Sequence, residues 1–232
     1  MATTEEILTL DVSDGTKMNA FAVHPDGQMA GGILLFQEAF GVNDHIKSVA
    51  RRFGKEGFSV IAPEFFHRTA PPGFSASHTD FAQIRPHLEK MNRSAIESDI
   101  RASYEYLSRS TEKISSVGFC FGGSAAFFAN ALLDLRSAVS FYGSRIGTEY
   151  LDLASSQRAP ILFFWGGLDR HILPEIRGAA PAIMQKENKP FIDVVISNAD
   201  HGFFCEDRSV YNSDAAKLSW TLVLNFIRQH LD

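Results

Sequence analysis

Cys120 lies in the part of the sequence whose residue types and spacing most directly indicate chemistry. The apolar segment Ile114–Phe119 runs into the stretch GFCFGG at 118–123. Its glycines permit a strand-to-helix turn so tight that larger side chains would collide with neighbouring strands. Such a turn places the thiol at a helix N-terminus, where positive partial charge favours the thiolate, and aims the backbone N–H of Phe121 at the oxyanion of a tetrahedral intermediate. The pattern predicts a nucleophilic cysteine, and the alternative is a buried, inert thiol.

A cysteine nucleophile requires a base that takes its proton and an acid that orients this base. Asp169 follows the apolar segment Ile161–Trp165 through two glycines, and His201 follows the segment Phe191–Ile196. Both residues therefore lie just beyond the carboxyl ends of predicted strands, which is where parallel sheets place their sites. We predict that Cys120, Asp169 and His201 form a catalytic triad.

Two neighbouring residues are the alternatives for the acid and the base. His171 lies two residues after Asp169, but it precedes the last strand and would break the order nucleophile, acid, histidine. Asp200 would have to orient His201, its own neighbour in the chain, which is a poor geometry. An aspartate after glycines is also common as a turn former, which is the alternative for Asp169.

Glu38 is unusual because it follows the apolar segment Gly32–Phe36 directly, within the stretch QEAFG at 37–41. A carboxylate in such surroundings is costly unless it is paired or functional. We therefore include Glu38 among the candidate site residues. The alternative is a glutamate at a helix start or on the surface.

The segments that must position these residues alternate between strands and helices. The predicted strands are short apolar runs at Leu8–Val12, Met18–Val23, Gly32–Phe36, Phe58–Ala62, Ile114–Phe119, Ala138–Tyr142, Ile161–Trp165 and Phe191–Ile196. The predicted helices are Val42–Glu56, Asn92–Leu107, Gly122–Leu133, Pro174–Lys186 and Asn212–Leu231. Between them, Glu64–Ser77 is predicted to be a long functional loop. The alternation predicts the α/β class, with one domain over 1–232 and a mostly parallel sheet covered by helices on both faces.

Composition and charge exclude several classes of function. The formal net charge is −5, and no run of Lys or Arg is long enough for a nucleic-acid surface, so we expect no nucleic-acid partner. The N-terminal residues 1–10 lack the basic start and apolar core of a signal peptide. No apolar run approaches the roughly 20 residues of a membrane span. We therefore expect a soluble, cytoplasmic protein without a membrane partner, and a monomer.

The two cysteines, Cys120 and Cys205, allow at most one disulfide, which fits a reducing compartment. Cys205 lies four residues after His201, but the cysteines and scattered histidines form no metal-ligand pattern. We expect Cys205 to be a buried hydrophobic residue, and we expect no metal and no cofactor.

Four motifs together resemble the dienelactone hydrolase (carboxymethylenebutenolidase) family. They are QEAFG at 37–41, GFCFGG at 118–123, WGGLD at 165–169 and DHGFF at 200–204. The resemblance implies the α/β-hydrolase fold and hydrolysis of a small ester or lactone. It further implies that Glu38 contacts the Cys120 thiol and takes its proton when substrate arrives. His201 would later activate water, and the backbone N–H of Ala39 would be the second oxyanion donor beside that of Phe121.

Substrate recognition is where the sequence departs from this family. Its best-known members hold a substrate carboxylate with one arginine in a mid-chain loop and another shortly after the histidine. Arg85 and Arg208 are the nearest candidates here, although Arg208 lies farther from the histidine and Gly202 stands where those members carry a serine. Phe203 is a further candidate for substrate contact.

Three functions compete on these residues. The first is hydrolysis of a dienelactone-like ester or lactone through a thiol acyl-enzyme, with a broad carboxylesterase for uncharged esters as its variant. The second is a redox or sensor role, in which Cys205 would resolve an oxidised Cys120. The third is a binding protein without turnover, against which the complete set of Cys, His, Asp and Glu residues argues.

Overall fold

The computed structural model describes residues 1–231, which form two compact units, Met1–Ile114 and the chain from Ser115 onward. Each unit has its own strands, helices and buried core. The prediction of one domain over 1–232 stays a prediction.

The first unit is built on four strands and three helices. The strands are β1 (Thr3–Asp11), β2 (Lys17–Pro25), β3 (Gly31–Phe36) and β4 (Phe58–Pro63), and the helices are α1 (Asp44–Lys55), α2 (Phe81–Lys90) and α3 (Arg93–Ser108). The strand order in this unit is β1-β2-β4-β3. The β1/β2 and β2/β4 pairs are antiparallel and the β3/β4 pair is parallel, with Ile33 opposite Val60. Every residue of β3 and β4 is buried, which explains why both read as continuous apolar runs.

Asparagine side chains begin the two long helices of this unit. The side chain of Asn43 accepts a hydrogen bond from the backbone N–H of Ile46, and that of Asn92 accepts one from Ala95. Each bond satisfies a backbone donor that has no partner inside its helix. The apolar face of α1 packs on β4, and α3 also packs on β4.

The segment between β4 and α3 differs in part from the prediction. Residues 64–77 contain no helix or strand beyond an isolated bridge between Gly41 and Ser75, so the predicted loop is confirmed. Helix α2 was not predicted because its sequence carries Pro86 in the interior and buries only Ile84. The apolar periodicity that reveals an amphipathic helix is therefore weak there.

The second unit has the more regular alternation of strands and helices. Its strands are β5 (Ile114–Phe119), β6 (Ser137–Phe141), β7 (Ile161–Gly166) and β8 (Phe191–Ile196). Its helices are α4 (Phe121–Leu132), α5 (Ile146–Glu149), a 3-10 helix at Leu151–Ser156, α6 (Pro174–Lys186) and α7 (Ser213–Gln229). All neighbouring pairs in the order β5-β6-β7-β8 are parallel. Helices α4 and α7 pack on β6.

The parallel register brings the carboxyl ends of these strands to one edge. Phe119 pairs with Phe141, and Gly166 pairs with Ile196. The chain segments that follow β5, β6, β7 and β8 therefore leave from the same edge of this unit, as the α/β prediction requires. Within residues 1–231, no helix is both long and apolar enough to cross a membrane.

Candidate active site

Cys120 occupies a tight turn between β5 and α4. Its backbone lies at φ 53° and ψ −113°, a conformation that residues other than glycine rarely adopt. Its N–H donates to the carbonyl of Phe141 at 2.9 Å. A side chain on Gly118 would overlap the carbonyl of Gly122, and one on Gly123 would lie 2.5 Å from the carbonyl of Phe141. The two glycines are therefore what allows the strained nucleophile turn to form.

The Cys120 sulfur lies at the start of α4 beside an imidazole. Sγ is 3.1 Å from Nε2 of His201 and 4.0 Å from Oγ of Ser144. Cys120 is the N-cap residue of α4, yet its side chain makes no capping hydrogen bond. The sulfur is therefore directed toward the histidine instead of the helix backbone.

Asp169 holds the other side of the same imidazole. Its Oδ2 lies 2.7 Å from Nδ1 of His201. Its Oδ1 accepts hydrogen bonds from the backbone N–H groups of His171 at 2.7 Å and Ile172 at 2.9 Å. Because both carboxylate oxygens are bound, the aspartate has a fixed orientation and can hold His201 in the tautomer that presents Nε2 to sulfur.

Backbone hydrogen bonds join the loop that carries Asp169 to the loop that carries His201. The N–H of Gly167 donates to Ile196 at 2.8 Å, and the N–H of Leu168 donates to Ala199 at 2.9 Å. A side chain on Gly167 would lie 2.5 Å from the carbonyl of Ser197. The WGGLD motif thus requires its glycines because the two loops are in close contact.

Asp200 and His171, the alternatives for the acid and the base of the triad, lie near His201 but make other contacts. Asp200 accepts a hydrogen bond from the backbone N–H of His201 at 2.6 Å, and so it shapes the loop. His171 is exposed, and its ring packs edge-on against that of His201 with centroids 5.3 Å apart. His201 is the histidine that contacts both the Cys120 sulfur and the Asp169 carboxylate.

The electrostatics of the triad favour a charged imidazole. Burial lowers the pKa of His201. The charge of a Cys120 thiolate, the charge of the Asp169 carboxylate and the hydrogen bonds to both outweigh this effect and raise the pKa to about 10. Burial raises the pKa of Asp169, whereas the hydrogen bond and charge of His201 and two backbone N–H groups bring it below its ordinary value. The arrangement is thus suited to an imidazolium between two anions.

Tyr142 packs against the imidazole and was not predicted as a site residue. It follows β6, has no exposed surface, and adopts a positive φ of 38°. Its ring centroid is 4.9 Å from that of His201 and 5.5 Å from that of Phe203. Sequence offered one signal for these residues: Tyr142 ends the predicted strand Ala138–Tyr142 and Ser144 follows it, at the strand end where the site forms.

Glu38 and Ala39 lie in the first unit, directly after β3. The Glu38 side chain is completely buried, and its Oε2 lies 3.7 Å from Nε2 of His78. His78 also contacts Asn43 at 3.1 Å and packs edge-on against Phe40. The surface alternative for Glu38 is wrong because the side chain is fully buried, and the helix-start alternative is wrong because α1 begins at Asp44. The roles of Glu38 and Ala39 in the chemistry stay predictions.

The three candidates for substrate contact have unlike surroundings. Arg85 lies on α2 with its side chain 78% exposed and paired to Glu89 at 2.7 Å. Phe203 has no exposed surface and packs on Tyr142, so it supports the site from within the core. Arg208 is half-buried, and its guanidinium covers Gly202 so closely that any side chain there would overlap it. Gly202 also has a positive φ of 83°, which residues other than glycine rarely adopt, and this conformation favours glycine where the family carries a serine.

Comparisons with known proteins agree with the motifs. The model of the dienelactone hydrolase family matches residues 18–231. A Synechocystis protein named "putative carboxymethylenebutenolidase" is 32% identical over 214 residues, covering 86% of each chain. A structure of a "putative dienelactone hydrolase" from Klebsiella pneumoniae aligns with a TM-score of 0.90 at 25% identity, over 99% of this chain and 100% of that one.

A dienelactone hydrolase from Anabaena variabilis aligns with a TM-score of 0.74 at 16% identity over the full length of both chains. At that identity the likeness concerns the fold alone. Together with the parallel strands and the helices between them, these alignments confirm the predicted α/β-hydrolase fold.

Proposed function

Because this chain belongs to the dienelactone hydrolase family and is thus a hydrolase of ester or lactone bonds, we propose that it works through a thiol acyl-enzyme formed on Cys120. One observation carries the proposal. Sulfur, imidazole and carboxylate follow one another at 3.1 Å and 2.7 Å, in the order Cys120, His201, Asp169. These are the distances at which a nucleophile, its base and an orienting acid act as a unit.

Acylation begins with attack of the Cys120 sulfur on the substrate carbonyl carbon. The carbon–sulfur bond forms while the carbonyl oxygen takes the electron pair and becomes an oxyanion. Backbone N–H groups of Phe121 and Ala39 are the proposed donors to this oxyanion. The oxyanion then reforms the carbonyl, the carbon–oxygen bond to the leaving group breaks, and the His201 imidazolium protonates the leaving oxygen.

Deacylation needs the same histidine as a base. In the thioester the sulfur carries no charge, so the largest of the causes that raise the pKa of His201 is absent. Neutral His201 can then take a proton from water, and the resulting hydroxide attacks the thioester carbonyl. The sulfur leaves as a thiolate, the proton remains on His201, and the acid product departs.

Glu38 is the proposed second acceptor for the thiol proton. The family resemblance assigns it this role, and the position of its buried side chain directly after β3 agrees with the assignment. A protonated Glu38 would be neutral and would leave Cys120 as the thiolate. Whether the proton goes to Glu38 or His201 is decided by the Glu38→Gln experiment described in the Discussion.

The proposed substrate is a small ester or lactone of the dienelactone type. Arg208 is the better supported of the two arginines taken from the resemblance, because it lies over Gly202 beside the triad histidine. Arg85 is less favoured because it is exposed and paired with Glu89. Direct substrate contact by Phe203 is also less favoured, because the residue is buried.

The same residues give less support to two alternative functions. A broad carboxylesterase would use the same triad without an anion contact. A redox function would need Cys205 as a resolving thiol, but Cys205 is completely buried and no disulfide joins it to Cys120 in the described chain. The monomeric state, the cytoplasmic location, and the absence of metal and cofactor stay predictions.

The test is the hydrolysis rate of a dienelactone and of an uncharged small ester by the wild-type chain and by Cys120→Ala. We expect wild-type turnover of at least one substrate and a loss of several orders of magnitude in Cys120→Ala, whose fold is checked by circular dichroism. Trapping of a thioester on the wild-type protein would support the intermediate. Wild-type turnover by Cys120→Ala would refute the mechanism.

A further inference from the structure

Arg145 lies in the turn after β6, and its backbone is bound to the nucleophile turn. Its N–H donates to Oγ of Ser124 at 2.9 Å. The preceding residue, Ser144, donates its N–H to the carbonyl of Cys120 at 3.4 Å and places Oγ 4.0 Å from the Cys120 sulfur. Arg145 is therefore anchored on the same short segment as the nucleophile.

The Arg145 side chain lies over the residue that follows the nucleophile. Its guanidinium carbon is 5.3 Å from the centroid of the Phe121 ring, which is within the range of a cation–π contact. The side chain is 24% exposed. It is thus held partly out of water while one side remains open to a ligand.

The charge of Arg145 is only loosely balanced within the chain. Its Nη1 lies 3.6 Å from Oε2 of Glu149, which is longer than the roughly 2.7–2.9 Å of a strong charge-assisted hydrogen bond. Arg101 and Glu97 have the same four-residue spacing on α3, and their contact is 2.7 Å. In the described chain, 1–231, Arg145 has no shorter ion pair than the one with Glu149. Its planar set of five donors suits bidentate binding of a carboxylate.

We propose that Arg145 is a specificity-determining residue that binds a carboxylate on the substrate, so that the enzyme prefers anionic esters or lactones. The inference rests on the proposed function, in which the Phe121 N–H holds the reacting carbonyl oxygen. A substrate bound there lies against the residue whose ring the Arg145 guanidinium covers. A carboxylate a few bonds from the scissile carbonyl can then reach the guanidinium, and Arg145 adds to Arg208 as an anion contact.

The experiment compares two aryl esters that differ only in charge. One is the aryl monoester of a short dicarboxylic acid, and the other has its free carboxylate replaced by a carboxamide. We measure kcat and KM for the wild type, Arg145→Gln, Arg145→Lys and Arg208→Gln. Arg101→Gln is the matched control, since it removes an arginine of the same spacing on an exposed helix face, and Glu149→Gln removes the partner of Arg145.

We expect Arg145→Gln to lower kcat/KM for the carboxylate ester about ten- to hundredfold, mainly through KM, because a hydrogen bond to a charged group is lost. The carboxamide ester should change by less than about twofold, since no charge is paired in that complex. Arg145→Lys should recover part of the selectivity. Glu149→Gln should preserve or raise it, whereas a merely structural ion pair would make this variant behave like Arg145→Gln.

Equal losses on both esters, or unchanged selectivity in Arg145→Gln with loss in Arg208→Gln, would overturn the inference. These failures differ from a failure of the proposed function. If only the Arg145 inference fails, the wild type still hydrolyses the carboxamide ester and this hydrolysis requires Cys120. If the proposed function fails, Cys120→Ala retains turnover.

Discussion

The charge state of His201 depends on Cys120, and replacing the sulfur tests this dependence directly. The pKa of His201 is about 10 in the folded protein against an ordinary value of 6.5. A Cys120 thiolate 3.1 Å from Nε2 supplies the largest of the effects that raise it. In Cys120→Ala, burial still lowers the pKa and only Asp169 raises it. The imidazole of the variant should therefore lose its proton at lower pH than that of the wild type.

An opposite charge at this distance changes a pKa by roughly 1 to 3. We therefore expect the pKa of His201 to fall from about 10 to between about 7 and 9 in Cys120→Ala. Each tenfold change in the proton dissociation constant corresponds to about 1.4 kcal/mol. The coupling between sulfur and imidazole is thus on the order of 1 to 4 kcal/mol.

The raised pKa also fixes how the stability of the fold depends on pH. A group that binds its proton more tightly when folded stabilises the native state fully below its unfolded pKa, here near 6.5. That contribution is lost as the pH rises through the folded value of about 10. The loss should therefore be smaller in Cys120→Ala and complete at a lower pH than in the wild type, because the folded pKa of His201 is closer to the unfolded one.

The assay is nitrogen NMR of the histidine side chains during a pH titration. His201→Gln identifies the signal of His201, and Cys205→Ala is the matched control that removes the other, fully buried thiol. Cys205→Ala should leave the His201 titration unchanged. Titration of wild-type His201 near its ordinary pKa, or at the same pH in Cys120→Ala, would refute the imidazolium–thiolate pair.

The remaining predictions concern the two carboxylates. Asp169→Asn should lower kcat about 10³- to 10⁴-fold, as expected when the wrong tautomer is held, with little change in thermal unfolding. Activity within tenfold of wild type would remove Asp169 from the triad. Glu38→Gln should slow pre-steady-state acylation more than it weakens substrate binding, measured as a burst with a chromogenic ester. An unchanged burst rate would leave His201 as the acceptor of the thiol proton.

The nucleophile turn could be predicted from sequence because local sterics determine it. The glycines of GFCFGG are needed to avoid backbone contacts within a few residues of Cys120 and with the adjacent strand. The predicted strand Ile114–Phe119 has the same bounds in the structure. It could be predicted because a parallel strand covered on both faces consists of apolar or small residues. Helix α2 was missed because it buries one residue and carries an internal proline.

The order Cys120, Asp169, His201 was likewise available from sequence, because each residue follows a strand and parallel strands end at one edge. What sequence left open was the choice between neighbours. Asp169 and Asp200 differ by where their oxygens lie, and only the folded loops show that one contacts Nδ1 while the other binds a backbone N–H.

Tertiary structure alone decided the surroundings of the site. Arg85 and Arg208 were both candidates for anion binding in the sequence, and the structure places one on an exposed helix and the other over Gly202. Arg145 had no motif, because its proximity to Phe121 arises from the turn after a neighbouring strand. Local sterics and periodicity act over a few residues and are written in the sequence. Contacts between side chains from different loops depend on how the strands pair, and they exist only once the chain has folded.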